Sequence, residues 1–274
     1  MGRLLANVMR LGLLGAASCA GAEAHTLTSA PPAAVPGVLT AADVGLHPGE
    51  SMAFEVRIGG LLAGEAALAV GQLGTVDGHR AVVVKSRAAT AGAVDVLKHI
   101  VDESTTTIDL DSGRPMYVDS LVEADHKRTT AHAAFAGSRV DITYAREGDK
   151  PRTTHVGTTD NVLDMHAAMG QIRGWRATPG ATRTVYVIGG KRLWRIDMTY
   201  VGSSLVGSSL GNRRAVQFDG QSFRARGNLT LESTAAARTF SVWLSDDADR
   251  VPLKVVGHTE LGDITMDLTD YQRP

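Results

Sequence analysis

"FEVRIGGLLAGEAALAV", residues 54–70, decides the fold. Phe54, Val56 and Ile58 alternate with Glu55 and Arg57, so an extended chain places the apolar side chains on one face and the charged ones on the other. Gly59-Gly60 interrupts the alternation before a second strand-like run begins at Leu61. A Gly pair between two such runs is a two-residue hairpin signal, because those turns require positive φ at their centre. One buried face and one wet face is the pattern of antiparallel sheet.

The same period recurs outward to both sides: "RAVVVKSRA", "TTTIDL", "PMYVDSLVEA", "RTTAHAAF" and "RVDITYAR" follow in the first half. The second half adds "TRTVYVIGG", "LWRIDMTYV", "AVQFDG", "GNLTLES", "TFSVWLS", "PLKVVGHTE" and "DITMDLTDY". In the clearest of these, Trp194, Ile196, Met198 and Tyr200 oppose Arg195, Asp197 and Thr199. Two stretches break the rule. "AGAVDVLKHI", 91–100, spaces Val94, Leu97 and Ile100 helically, and "DNVLDMHAAMGQIRGW", 160–175, offers Asp160 or Asn161 as a cap. Its apolar stripe is Val162, Met165, Met169 and Ile172. The expectation is one mainly β domain over 51–274, an antiparallel curved sheet or a half-open barrel or sandwich with one or two short helices. The duplicated pentamer "VGSSLVGSSL", 201–210, reads as a mobile loop or a strand extension at a sheet edge. It lacks the Lys-Ser or Lys-Thr step of a phosphate-binding loop.

Composition bounds the partners. A chain of 274 residues with 43% apolar content supports a proper core. Its 28 basic and 29 acidic residues give no basic excess for nucleic acid. Arg3 and Arg10, an apolar run from Leu11 to Ala17 and an A-x-A step at Ala22-Glu23-Ala24 form a secretory signal over 1–24. Residues 25–50, with four prolines, read as a flexible linker. No later segment has the roughly 20 apolar residues of a membrane helix. The chain is expected to be periplasmic, outer-membrane-associated or secreted. The single cysteine, Cys19, lies within the signal; its Ala-Ala-Ser-Cys context makes it a candidate lipidation site, and cleavage after Ala24 would instead remove it.

No chemistry stands out. The nine histidines show no His-x-His and no H-E-x-x-H, and scattered surface positions explain them. No metal, cofactor or catalytic residue is expected. There is no G-x-S-x-G elbow. Asp102-Glu103 and Asp246-Asp247 are adjacent, and neighbours on a strand face opposite ways. The acid-rich stretch "FSVWLSDDADRVPLKV", 240–255, reads as a hairpin corner in which Asp and Ser satisfy free amides and Arg250 pairs with one of the acids. Pro252 then suits the first residues of the next strand.

"VWLSDDADRVPLKV" followed by "GDITMDLTDY" resembles the C-terminal signature of the bacterial domain of unknown function 3108. "FEVRIGGLLAGEAALAV" and "VDESTTTIDLDSGRPMYV" resemble its start and middle, so the likeness spans about residues 51–271. The resemblance implies an exported, β-rich envelope protein and supplies no activity or catalytic residues. Two readings remain open. One is a non-enzymatic envelope protein binding a lipid or lipid-linked glycan around the second helix, similar at fold level to the periplasmic lipoprotein carriers. In it Met165, Met169, Val162 and Ile172 contact the ligand, and Gly170 and Gly174 loosen the helix end so that it acts as a lid. The other is a hydrolase or carbohydrate-active enzyme on envelope polymers using Asp102, Glu103 or Asp246, or else a structural partner of other envelope proteins.

Overall fold

The structure, a computed structural model, describes residues 44–157, 161–232, 237–259 and 262–273. The signal, Cys19 and the linker up to residue 43 lie outside the described residues. Eight strands run outward as an antiparallel meander: β1 (Ser51–Ile58), β2 (Leu61–Val76), β3 (His79–Thr90), β4 (Ile100–Asp109), β5 (Arg114–Ala124), β6 (Lys127–Ala136), β7 (Arg139–Arg146) and β8 (Arg152–Gly157). Helix α1 (Gly92–Leu97) joins β3 to β4. The chain then passes to the opposite edge of the sheet, at β9 (Val162–Asp164), which leads into helix α2 (Met165–Gly174). It returns through β10 (Thr182–Gly189), β11 (Arg192–Ser208), β12 (Gly211–Ala225), β13 (Arg238–Ser245), β14 (Pro252–Gly257) and β15 (Ile264–Gln272), which pairs with β1.

This connectivity dictates the curl. Fifteen strands laid flat, at about 4.8 Å each, would separate the two edges by about 67 Å. Yet β8 ends at Gly157 and β9 begins at Val162, a span of at most about 18 Å. The sheet must bend round on itself, and it stays open because β8 and β9 do not pair. Apolar residues at alternate positions line the inside. The main core gathers Phe54, Leu68, Val84, Ile108, Phe218 and Leu268 around α2. A second cluster joins Val118, Val140, Ile142 and Val156 of the outgoing strands to Val162 and Ile188 of the returning edge.

The decisive hairpin forms as its sequence dictates. Gly59 and Gly60 have φ of 55° and 86°, and Ile58 faces Leu61 across the turn. The sheet is antiparallel throughout except for one parallel pair, β9 on β10. Pro252 is the first residue of β14. The "VGSSLVGSSL" repeat is a strand extension. Its residues up to Ser208 complete β11 and pair with β12 after a register shift between Tyr200 and Gly202, and because β10 pairs no further than Thr199 they form a local edge of the sheet.

Several expectations are corrected. The described part of "GNLTLES", residues 227–232, is a turn with a single bridge at Leu231, because Asn228 accepts from the Thr230 amide and hydroxyl and Leu229 takes φ of 67°. "RTTHVG", unremarked in the sequence, is strand β8. Helix α1 stops at Leu97, and Ile100 opens β4. The second helix starts at Met165, not before Val162. Val162 is fully buried in β9, opposite Tyr186, and belongs to the second cluster. The cap is Asp164, whereas Asn161 uses its carbonyl to accept from the Tyr186 amide and Asp160 lies outside the described residues. Residues 44–50, assigned to the linker, form a buried strap in which Leu46 and Glu50 are fully covered. The strap crosses α2 where two glycines meet: a Cβ on Gly45 would stand 2.1 Å from the Gly170 carbonyl oxygen. Gly170 therefore serves a close backbone crossing.

Candidate functional site

Helix α2 lies inside the curl and leaves an apolar cleft of about 90 Å³ between itself and the returning half of the sheet. Met165, Met169 and Ile172 form its helical wall. Phe54, Val242 and Met266 are among the side chains that form the sheet wall. Three of the four residues expected to contact a ligand therefore meet at one cleft, and Val162 is elsewhere. A wider groove of about 540 Å³ opens on the outer face near Asp197 and Asp219. Those acids already accept hydrogen bonds from Thr184 and Arg195 and from Gln217 and Ser241, so the groove is a satisfied polar surface.

The helix is held at both ends by groups that local sequence did not single out. At its N-terminus the Asp164 carboxylate accepts from the backbone N–H groups of His166 and Ala167, at 3.0 Å each. This is the pairing of an N-cap, usually worth about 1 kcal/mol. The Thr106 hydroxyl of β4 lies 2.6 Å from Asp164 Oδ2 and 2.7 Å from His166 Nδ1. All three side chains are buried. Burial holds the His166 imidazole below its ordinary pKa, with the Asp164 charge opposing that shift. His166, expected at the surface, is thus a core residue.

At the C-terminus, the fully buried Arg173 makes a two-pronged pair with Glu50 of the strap, Nη1 to Oε1 at 2.5 Å and Nη2 to Oε2 at 2.9 Å. Its Nε and Nη2 also donate to the Asp249 carbonyl oxygen. Tyr271 donates to Glu50 Oε2 at 3.3 Å, and burial followed by the Glu50 charge pushes its hydroxyl pKa up to about 12. The helix end expected to open easily is instead fastened to strap, turn and last strand.

In the acid-rich turn, Asp247 and Asp249 hold the corner together. Asp247 Oδ1 accepts from the Ser245 hydroxyl at 2.7 Å and from the amides of Asp249 and Arg250. Asp249 binds Arg173 through its carbonyl and Arg273 through its carboxylate. The expected Arg250 pairing is not formed: its Nε and Nη1 are buried without a hydrogen-bond partner. The Asp246 carboxylate, itself mostly covered, meets only Arg214 among the described residues, at 3.6 Å and with the guanidinium largely in solvent. Replacing Asp247 by Ala should cost about 1–2 kcal/mol, the value of a cap with several donors. Asp246→Ala should cost under about 0.5 kcal/mol. Urea denaturation of the two variants checks the contrast.

The acids named for hydrolysis do not converge. Asp102 faces inward on β4, Glu103 faces out to Arg87, and Asp246 stands at the hairpin corner. Among the described residues no three His, Cys, Asp or Glu side chains gather as a metal site. His99, His132, His155 and His258 each pair with a neighbouring aspartate at the surface. No helix among the described residues is long and apolar enough to cross a membrane.

The fold has a solved counterpart. The chain is similar to a β-barrel-like protein of domain of unknown function DUF1849 from Brucella abortus, with a TM-score of 0.53 at 10% identity, covering 82% of this chain and 97% of that one. It is more distantly similar to the hypothetical lipoprotein YmcC from Escherichia coli, with a TM-score of 0.31 at 10% identity, covering 85% and 90%. No curated protein matches. Residues 53–269 match the family described as Protein of unknown function (DUF3108), most of the length of the domain, and the chain belongs to that family.

Proposed function

We propose that the protein is a non-enzymatic, exported component of the cell envelope that holds the apolar part of a lipid or lipid-linked ligand between α2 and the returning half of the sheet. The observation that carries this reading is the cleft itself. Its walls are apolar side chains, and flexible methionines, which adapt to irregular apolar shapes, contribute from helix and sheet alike. At about 10–15 Å³ per water-sized group, 90 Å³ takes roughly six to nine such groups, a segment of one alkyl chain. The signal over residues 1–24 supports export to the periplasm, with Cys19 as the attachment point if it is lipidated.

Ala168 borders the cleft and is nearly covered, so a larger side chain there grows into the space a ligand would use. Ala168→Leu should eliminate any lipid that co-purifies in stoichiometric amount from the native envelope, read by mass spectrometry of organic extracts. Its melting temperature should hold or rise by a few degrees, as cavity filling commonly does. Wild-type protein that yields no apolar ligand, or a variant that keeps it, would count against the reading.

A further inference from the structure

A second cavity, of about 60 Å³, lies on the other side of Met165, which borders both. Its floor is a row of three serines on adjacent strands: Ser86 faces Ser104, and Ser104 faces Ser120. Asp102 stands one row further along, and His166 closes the opposite side. Among the described residues no Lys or Arg lines it.

The hydrogen bonds determine what His166 offers this space. Thr106 has one hydroxyl proton and two neighbours. The Asp164 carboxylate, already accepting two backbone N–H groups, can only accept, so Thr106 donates to it. The Thr106 oxygen must then accept from an Nδ1–H of His166. In the neutral ring that burial favours, Nε2 is left as a bare acceptor. It is buried and makes no hydrogen bond to the protein, and an unmet buried acceptor costs about 1–3 kcal/mol. Such an atom calls for a donor.

We infer that this cavity receives a small uncharged polyol head, of glycerol type, belonging to the same amphiphile whose alkyl chain occupies the apolar cleft. The inference rests on the apolar reading above. At 10–15 Å³ per water-sized group the cavity holds roughly four to six groups, and glycerol has six heavy atoms. Hydroxyls donate to His166 Nε2 and to the Asp102 carboxylate while exchanging hydrogen bonds with the serines. An anionic head would meet two carboxylates, Asp102 and Asp164, in a lining that holds no Lys or Arg among the described residues. A cationic head would find both carboxylates already engaged, Asp164 by the Thr106 hydroxyl and the first amides of α2, and Asp102 by a partner of its own.

Calorimetric titration of the purified protein with eight-carbon probes in monomeric form tests this. 1-Monooctanoylglycerol should bind at least tenfold tighter than octanoate or octylammonium, and glycerol alone should not bind measurably. His166→Leu and Asp102→Asn should each shrink the preference to within about threefold. Asp102→Asn stands outside the Thr106 network, so it carries the same test if His166→Leu does not fold. Equal or tighter binding of either charged probe, or an undiminished preference in the variants, would overturn the polyol assignment and leave the apolar cleft standing. Glycerol binding as tightly as its octanoyl ester would overturn the amphiphile. If no eight-carbon probe binds, the apolar reading fails, and this inference with it.

Discussion

Arg173→Met is expected to lower stability by about 3–5 kcal/mol, the usual result of leaving one member of a buried ion pair uncompensated. Arg173 and Glu50 are both at 0% side-chain exposure. Removing the guanidinium strands a carboxylate that no longer has its two charged donors and keeps the weaker Tyr271 hydroxyl and the His47 amide. The Asp249 carbonyl oxygen loses its donors in the same step. Against a total of about 5–15 kcal/mol, this approaches global unfolding. The double variant Arg173→Met with Glu50→Gln should recover a large part of the loss, because it removes the orphaned charge along with its partner. Guanidinium denaturation of the wild type, the two single variants and the double variant gives the coupling directly. A single variant as stable as wild type would show that the clamp contributes nothing to the fold.

The fold was legible wherever one face of a strand is buried and the other wet. Trp194 to Tyr200 announced β11 because burial alternates there residue by residue. Val162 misled for a physical reason: with Met165, Met169 and Ile172 it satisfies a helical spacing, and its place beside Tyr186 depends on a parallel pairing with a strand some twenty residues later. The cleft residues Met165, Met169 and Ile172 were readable because a short helix must bury its apolar stripe. Its fastenings were not. Arg173 at a helix end ordinarily reads as a solvated cation beside the helix dipole, and its partner Glu50 lies 123 residues away in a stretch rich in proline. Asp164 did leave a local trace, since an aspartate two and three residues before the amides it caps is an ordinary helix start. Thr106, 58 residues earlier, left none.

Met165→Asp combined with Met169→Asp is expected to abolish retention of an apolar ligand while the strand signal in circular dichroism survives. Both side chains line the cleft from the helix. Two carboxylates there remove the apolar wall and draw water into the space a chain would fill. The cost to the fold is several kcal/mol, because neither acid has a partner in an apolar lining. That cost falls on the helix wall. The β1–β15 ladder and the second core cluster contain neither methionine, and α2 keeps its fastenings at Asp164 and Arg173. The melting temperature should therefore drop markedly, with the sheet still folded at 25 °C. Cooperative loss of the strand signal would instead make α2 an integral part of the core, with the space beside it a packing gap and not a binding cleft. The fastenings make the intermediate outcome the informative one: a folded sheet that no longer holds a ligand separates the helix's role in binding from its role in stability.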